Sequence, residues 1–237
     1  MEWDDDAVVL SVRRHGENSG IVTLLTRSHG RHTGLVHGVQ SKANRGINQP
    51  GNQVRAAWRG RLAEQLGTLR LELTQAHAGA VMDDPVRLAA LSSACALADL
   101  VLPERQPHAG SYVALVALLH ALPAESWPSV YIHWELALLR DLGFGLDLTV
   151  CAATGATLDL AYVSPKSHRA VSRTAGEAWK DKLLPLPRFL VEGGEGDAEA
   201  IRDGLALAGF FLERLVLPHH RAAMPAARTR LVDRFRS

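Results

Sequence analysis

The residues best suited to chemistry in this chain are cations, and they are densest in LTRSHGRHTGLVHGVQSKANRG, residues 25–46. Arg27, His29, Arg31, His32, His37, Lys42 and Arg45 fall in it without one Asp or Glu. Guanidinium and ammonium groups arranged in this way bind oxyanions through charge-assisted hydrogen bonds. Farther along, Arg55, Arg59 and Arg61 share one face of a strand-like segment. Other reactive types are scattered. Cys151 could pair with a histidine as a nucleophile, but nothing local supports it. His29 and His32 stand three apart with no cysteine or carboxylate beside them to complete a metal site. Asp4, Asp5 and Asp6 look like a cation-binding run, and an acidic chain start reads more simply as a solvated end. His219 and His220 follow a helical stripe, where imidazoles cap free carbonyls. No P-loop or Gly-x-Ser-x-Gly motif is present, since GENSG has the wrong spacing. The chemistry is phosphate binding, with no catalytic residue and no metal site.

The elements that must position these cations are strands. AVVLSVRR (7–14), IVTLLTR (21–27) and RHTGLVHGVQ (31–40) are separated by the turn clusters HGENSG and SHG. A loop, SKANRGINQPGN, leads to QVRAAWRGR (53–61), where Val54, Ala56 and Trp58 alternate with Arg55, Ala57 and Arg59. TLRLELT (68–74) repeats the pattern, with Leu69, Leu71 and Leu73 expected inward. Five short strands with glycine-rich turns suit a small barrel, OB-fold or SH3-like. From residue 85 the period becomes helical. Leu88, Leu91, Cys95, Ala98 and Leu102 form one stripe after a DDP start, and Tyr112, Leu115, Val116, Leu119 and Leu122 a second. Tyr131, Trp134, Leu138 and Leu142 form a third, and Ile201, Leu205, Ala208, Leu212 and Leu215 a fourth. Residues 151–172 read as a loop with short strand-like pieces. LLPLPRFL (183–190) reads as a proline-broken connection and EGGEGD (192–197) as a surface link. The expected architecture is α+β: a five-stranded barrel over residues 1–80, then a helical bundle over 81–237 with an irregular insert at about 151–197.

The totals are those of an ordinary soluble chain: 237 residues, 47% apolar, 22% charged and a formal net charge of +1. The distribution is uneven. Residues 7–80 hold ten Lys/Arg against three acids, and residues 81–237 hold sixteen against eighteen. A basic first part joined to a neutral remainder is the electrostatic footprint of a polyanion-binding module. Residues 1–80 contain no Phe or Tyr, and Trp58 alternates with core positions. Base stacking should therefore contribute little beside arginine–phosphate contacts. Two distant cysteines, Cys95 and Cys151, make no disulfide framework. With an acidic start in place of a signal peptide, and apolar runs about half the ~20 residues that span a bilayer, the expectation is a cytoplasmic, nucleoid-associated protein.

VVLSVRRHGENSGIVTLLTRSHGRHTGLVHGVQ resembles the opening of the RecO family of bacterial recombination mediators, with its HGE-S turn, LT--HG and basic glycine-containing strand. LGTLRLELT fits the last barrel strand. WELALLRDLGFGLDLTVCAATG, DLAYVSPKSHRAVS and LLPLPRFL are similar to the family's C-terminal region, so the likeness runs from about residue 7 to 218. The resemblance implies an N-terminal OB-fold, a helical C-terminal domain and no turnover. It implies binding of single- and double-stranded DNA and annealing of complementary strands. It further implies loading of RecA, together with RecR, onto strands coated by single-stranded DNA-binding protein. The acidic, hydrophobic-ended tail of that coating protein would need an apolar groove and a cation, for which the helical domain offers Arg105, Arg140 and Arg169. Two departures stand out. His37 occupies a place where relatives often carry Lys or Arg. Some family members hold zinc with two C-x-x-C pairs, whereas here the run is CAAT, with Thr154 in the second place and no second pair.

The DNA-binding expectation thus rests on Arg27, Arg31, His37, Lys42, Arg45, Arg55, Arg59 and Arg61. Two rivals remain at this level: an RNA-binding OB module, and a hydrolase with polar groups converging at Cys151 or His168.

Overall fold

The computed structural model describes residues 1–39, 41, 44–62 and 65–236. The chain forms two compact units, Met1–Pro123 with Pro225–Leu231 and Ala124–Met224 with Val232–Ser237. The first unit therefore takes in helices beyond residue 80, where the change of period begins.

In the first unit five strands, β1 (Glu2–His15), β2 (Ser19–Thr26), β3 (Arg31–His37), β4 (Gln53–Arg59) and β5 (Thr68–Gln75), close a barrel in the order β1-β2-β3-β5-β4. β1 serves two neighbours. Its first half pairs with β4 and its second with β2, and a bulge between Val9 and Ser11 re-aims it from one to the other. The core comprises Ala7, Val9, Val22, Leu24, Val36, Val54, Ala56, Trp58 and Leu69, as strand alternation requires. Closure is thin, because β3 and β5 run parallel and pair only at Leu35 with Thr68.

The chain start is not a loose end. Residues 2–6 belong to β1, with Trp3 opposite Trp58 and Asp5 opposite Ala56. Asp5 is 6% exposed and accepts from the amides of Ser28 (2.6 Å) and Asp6 (2.9 Å). β5 also departs from its pattern. Leu69 is buried, but Leu73 is 42% exposed, because no strand pairs with β5 on the β3 side beyond Thr68.

A short α1 (His77–Ala80) leads to α2 (Pro85–Val101) and α3 (Ala109–Ala121). α2 starts where DDP foretells: the Asp84 carboxylate accepts from the amides of Val86 (2.9 Å) and Arg87 (3.1 Å), and Pro85 takes the first position. This helix packs on β1 and β2. Val8, Leu10 and Leu25 are consequently buried although the barrel core lies on the other side of their strands. The Cys95 thiol, pushed up to about 12 by burial and then by Asp99, stays protonated and donates to the Val9 carbonyl at 3.8 Å. Leu88, assigned to the apolar stripe, lies exposed on this helix.

The second unit is organised on α4 (Trp127–Asp141). A small sheet of order β7-β6-β8 follows, from β6 (Leu160–Val163), β7 (Ala170–Ser172) and β8 (Leu184–Pro185). α5 (Arg173–Gly176) and a 3-10 turn (Glu177–Lys182) connect β7 to β8, and α6 (Phe189–Glu192) precedes α7 (Ala198–Phe211). α7 is capped by Asp197, whose carboxylate accepts from the Ala200 amide at 2.9 Å. It packs against α4 where Gly204 admits Ile132; a Cβ there would lie 2.8 Å from the isoleucine Cδ1. The fourth stripe does not continue as a regular helix. A π turn at Leu212–Val216 and a 3-10 turn at Leu217–His220 interrupt it, which leaves Leu215 half-buried. The last helix, α8 (Ala226–Asp233), belongs through Leu231 to the first unit.

Candidate nucleic-acid interface

The expected cations do not form one face. On the outer side of β4, register sets Arg59 between Glu2 and Thr68, Ala57 between Asp4 and Arg70, and Arg55 between Asp6 and Glu72. Arg59 bonds Glu2 through Nε (3.1 Å) and Nη2 (2.8 Å), and Arg55 reaches Asp6 at 3.3 Å. Such exposed pairs add little stability, and each sets a carboxylate beside the guanidinium. The excess charge read from residue 7 onward shrinks for this reason. With Glu2, Asp4, Asp5 and Asp6 in β1, residues 1–80 carry ten cations against seven carboxylates.

Arg31 turns inward to the helices. Its Nε donates to the Leu102 carbonyl at 2.7 Å, and its Nη1 lies 3.3 Å from Asp99 and 3.6 Å from Glu104. The Arg105 amide donates to the Arg31 carbonyl at 2.8 Å, so this arginine joins β3 to the segment after α2. Arg27 is exposed on the β2–β3 turn and Arg61 on the β4–β5 turn. Lys42 lies outside the described residues.

A different set converges. Register puts His15 opposite Ser19, and Ser19 opposite His37, in one row across β1, β2 and β3. The Ser19 hydroxyl and His37 Nδ1 are 3.2 Å apart. Arg13 and Arg14 precede His15 on the same strand, and both are exposed. The Val39 amide donates to the Asn18 carbonyl at 3.3 Å, and the Asn44 Nδ2 to the Gly38 carbonyl at 3.1 Å, which sets Arg45 beside the end of β3. Arg13, Arg14, His15, His37 and Arg45 thus gather at one end of the barrel, and no ion pair engages them among the described residues. Arg13, Arg14 and His15 are not among the residues expected from the sequence to bind DNA. The signal was present in VRRHGENSG, a basic triple at the foot of a glycine turn.

The histidines His29 and His32 serve packing. His29 stacks on Trp3 (centroids 4.5 Å, 11°) and lies 3.1 Å from Asp5. His32 stands edge-on to Trp3 and Trp58, each at 5.0 Å. Burial, then the charges of Arg105 and His29, lower His32 to about 4. Of the expected partner-binding arginines, Arg105 belongs to the first unit and donates to the Gln65 carbonyl at 3.1 Å. Arg140 and Arg169 belong to the second; Arg140 is exposed near the end of α4, and Arg169 pairs with Asp147 at 3.1 Å.

Cys151 is buried in a polar pocket. Burial would push its thiol up, but hydrogen bonds from Ser172, Thr154 and Ala153 outweigh it and bring the thiol down to about 6. The Ser172 amide donates to its Sγ at 3.2 Å. No group of three His, Cys, Asp or Glu able to hold a metal occurs among the described residues. One thiol with hydroxyl and amide donors is not the four-ligand thiolate or imidazole set of a structural zinc site.

A five-stranded barrel in this strand order, followed by helices, defines a small-barrel α+β protein of the OB type. The chain belongs to the recombination protein O family: the model of that protein's N terminal matches residues 1–77 and the model of its C terminal residues 82–223. It is 56% identical over 238 residues to the DNA repair protein RecO of Rhodospirillum centenum, covering all of this chain and 95% of that one. The RecO of Rhodospirillum rubrum is 49% identical, covering 100% and 97%. That of Phenylobacterium zucineum is 48% identical, covering 99% and 98%.

Proposed function

We propose that this chain is a non-catalytic mediator of recombinational DNA repair that binds single- and double-stranded DNA through the basic end of its barrel. It anneals complementary strands and, with RecR, helps to load RecA onto strands coated by single-stranded DNA-binding protein, as an inhabitant of the nucleoid. The observation that carries this reading is the convergence of Arg13, Arg14, His15, His37 and Arg45 at one end of the barrel, with no ion pair among the described residues, while the arginines of β4 are matched with carboxylates. Backbone phosphates are the ligand such a cluster suits, and the names of the relatives supply the setting.

Titration of a single-stranded oligonucleotide at increasing salt tests it. Affinity should fall log-linearly, with a slope near −0.7 per phosphate contact. Reversal of Arg13 and Arg14 to Glu should weaken binding and flatten the slope by about 1.4, if each makes one contact. Reversal of Arg55 and Arg59 should change the slope little. Unchanged binding in a folded Arg13→Glu/Arg14→Glu protein would refute the assignment.

A further inference from the structure

The groove where β3 and β5 part has no role in the reading above. After the single pair at Leu35 and Thr68 the strands diverge, and a groove of about 870 Å³ opens between them. That volume is of the size that takes small organic groups, roughly 300–1,000 Å³. Its floor is apolar, formed by Val36, Ile47, Leu69 and Leu71. Its rim sets His37, Arg59 and Arg70 against Glu2 and Asp4. So balanced a rim does not select an anion; the apolar slot suits a flat, uncharged group.

Asn48 supplies the specificity. This residue lines the groove, is 6% exposed, and its Nδ2 donates to the Asn44 carbonyl at 2.8 Å. That bond orients the amide and leaves Oδ1 buried without a partner. A desolvated acceptor with nothing to accept is a site for a donor from an occupant. The oxygen sits in a turn held by local bonds, from the amides of Ile47 and Asn48 to Asn44 (3.1 Å each). Because Oδ1 is buried, an occupant of the groove reaches it only by displacing that turn outward.

We propose that the groove takes one unstacked nucleobase bearing an exocyclic amine, with the amine donating to Asn48 Oδ1. This rests on the DNA-binding reading. His37 belongs both to the groove rim and to the basic end, so a strand whose phosphates lie on Arg13, Arg14 and Arg45 can deliver a base there.

Fluorescence anisotropy on the full chain, with labelled single strands of equal length, tests it. Oligo-dC and oligo-dT differ at this edge in an amine against a carbonyl, and an abasic phosphodiester carries the charge alone. Oligo-dC should bind about fivefold to tenfold more tightly than oligo-dT, the discrimination of about one good base contact. Asn48→Leu should abolish the preference and leave abasic binding unchanged. Ile47→Trp, which fills the groove from the same turn, should do likewise and serves if Asn48→Leu does not fold. Equal binding of dC and dT by the wild-type protein, or a preference that survives both variants, overturns the base site while leaving phosphate binding intact. Absence of binding to every strand overturns the DNA-binding reading itself.

Discussion

His32, whose spacing from His29 does not make a metal site, proves to be a buried residue at 3% exposure. It stands edge-on to two indoles, Trp3 and Trp58, with both ring nitrogens unpartnered. The fold keeps it neutral, since its pKa falls from 6.5 to about 4. His77 behaves alike: burial, then His120, lower it to about 4, and its Nε2 lies 2.7 Å from Gln53. Between those values and 6.5 the unfolded chain binds protons that the folded chain refuses. The contribution of both residues is therefore whole above pH 6.5 and is lost as pH falls toward 4. Chemical denaturation should give a midpoint that drops between pH 7 and 5, and His32→Phe should flatten that drop. An equally steep decline in the variant would relocate the effect to other groups. At the same scale, Arg13 and Arg14, which we propose as phosphate contacts, lie in VRRHGENSG, outside residues 25–46.

At the scale of elements, the strands, their order of appearance and the helix starts were legible because they follow from alternation, glycine turns and capping. Val54, Ala56 and Trp58 point inward as their spacing requires, and Asp84 and Pro85 begin α2. What could not be read was which strands become neighbours. Whether Arg55 and Arg59 are free depends on β1 lying beside β4, a contact between residues some fifty apart in the chain. For the same reason a run of acids at the start passed for a tail, when it supplies the counter-charges of a distant strand. The join between barrel and α2 offers a test. Gly51 adopts φ +89°, and a Cβ there would lie 2.6 Å from the Leu91 side chain. Gly51→Ala should cost about 2 kcal/mol, combining backbone strain with a clash against a packed leucine. Thermal unfolding would measure it, and a loss below about 0.5 kcal/mol, the range of an inert surface change, would mean that α2 gives way there.

For the molecule as a whole, the two units divide the proposed work. We assign DNA to the barrel end of the first. The second, with Arg140 exposed on α4, is our candidate for holding the acidic tail of the single-strand coating protein. Calorimetry of the full chain with a synthetic tail peptide should show binding that Arg140→Glu weakens at least fivefold, on the order of 1 kcal/mol for a lost charge-assisted bond. Arg13→Glu/Arg14→Glu should leave it unchanged. Tail binding lost with the barrel variant would make the two ligands competitors for a single surface.

A barrel sealed by one backbone pair has a clasp. Every other join in the ring is a ladder of several residues, but β3 meets β5 only at Leu35 and Thr68, where the Leu35 amide donates to Gly67 at 3.0 Å. Undoing it strips few bonds, so the ring should open locally at far lower cost than global unfolding. In amide hydrogen exchange, Leu35 should lose its proton orders of magnitude sooner than Val22 or Leu24 on the neighbouring ladder, by a route insensitive to denaturant. The same economy governs assembly. Hairpin contacts among β1, β2 and β3 are near in the chain and should form early, whereas the clasp must await the return of β5 and should fasten last.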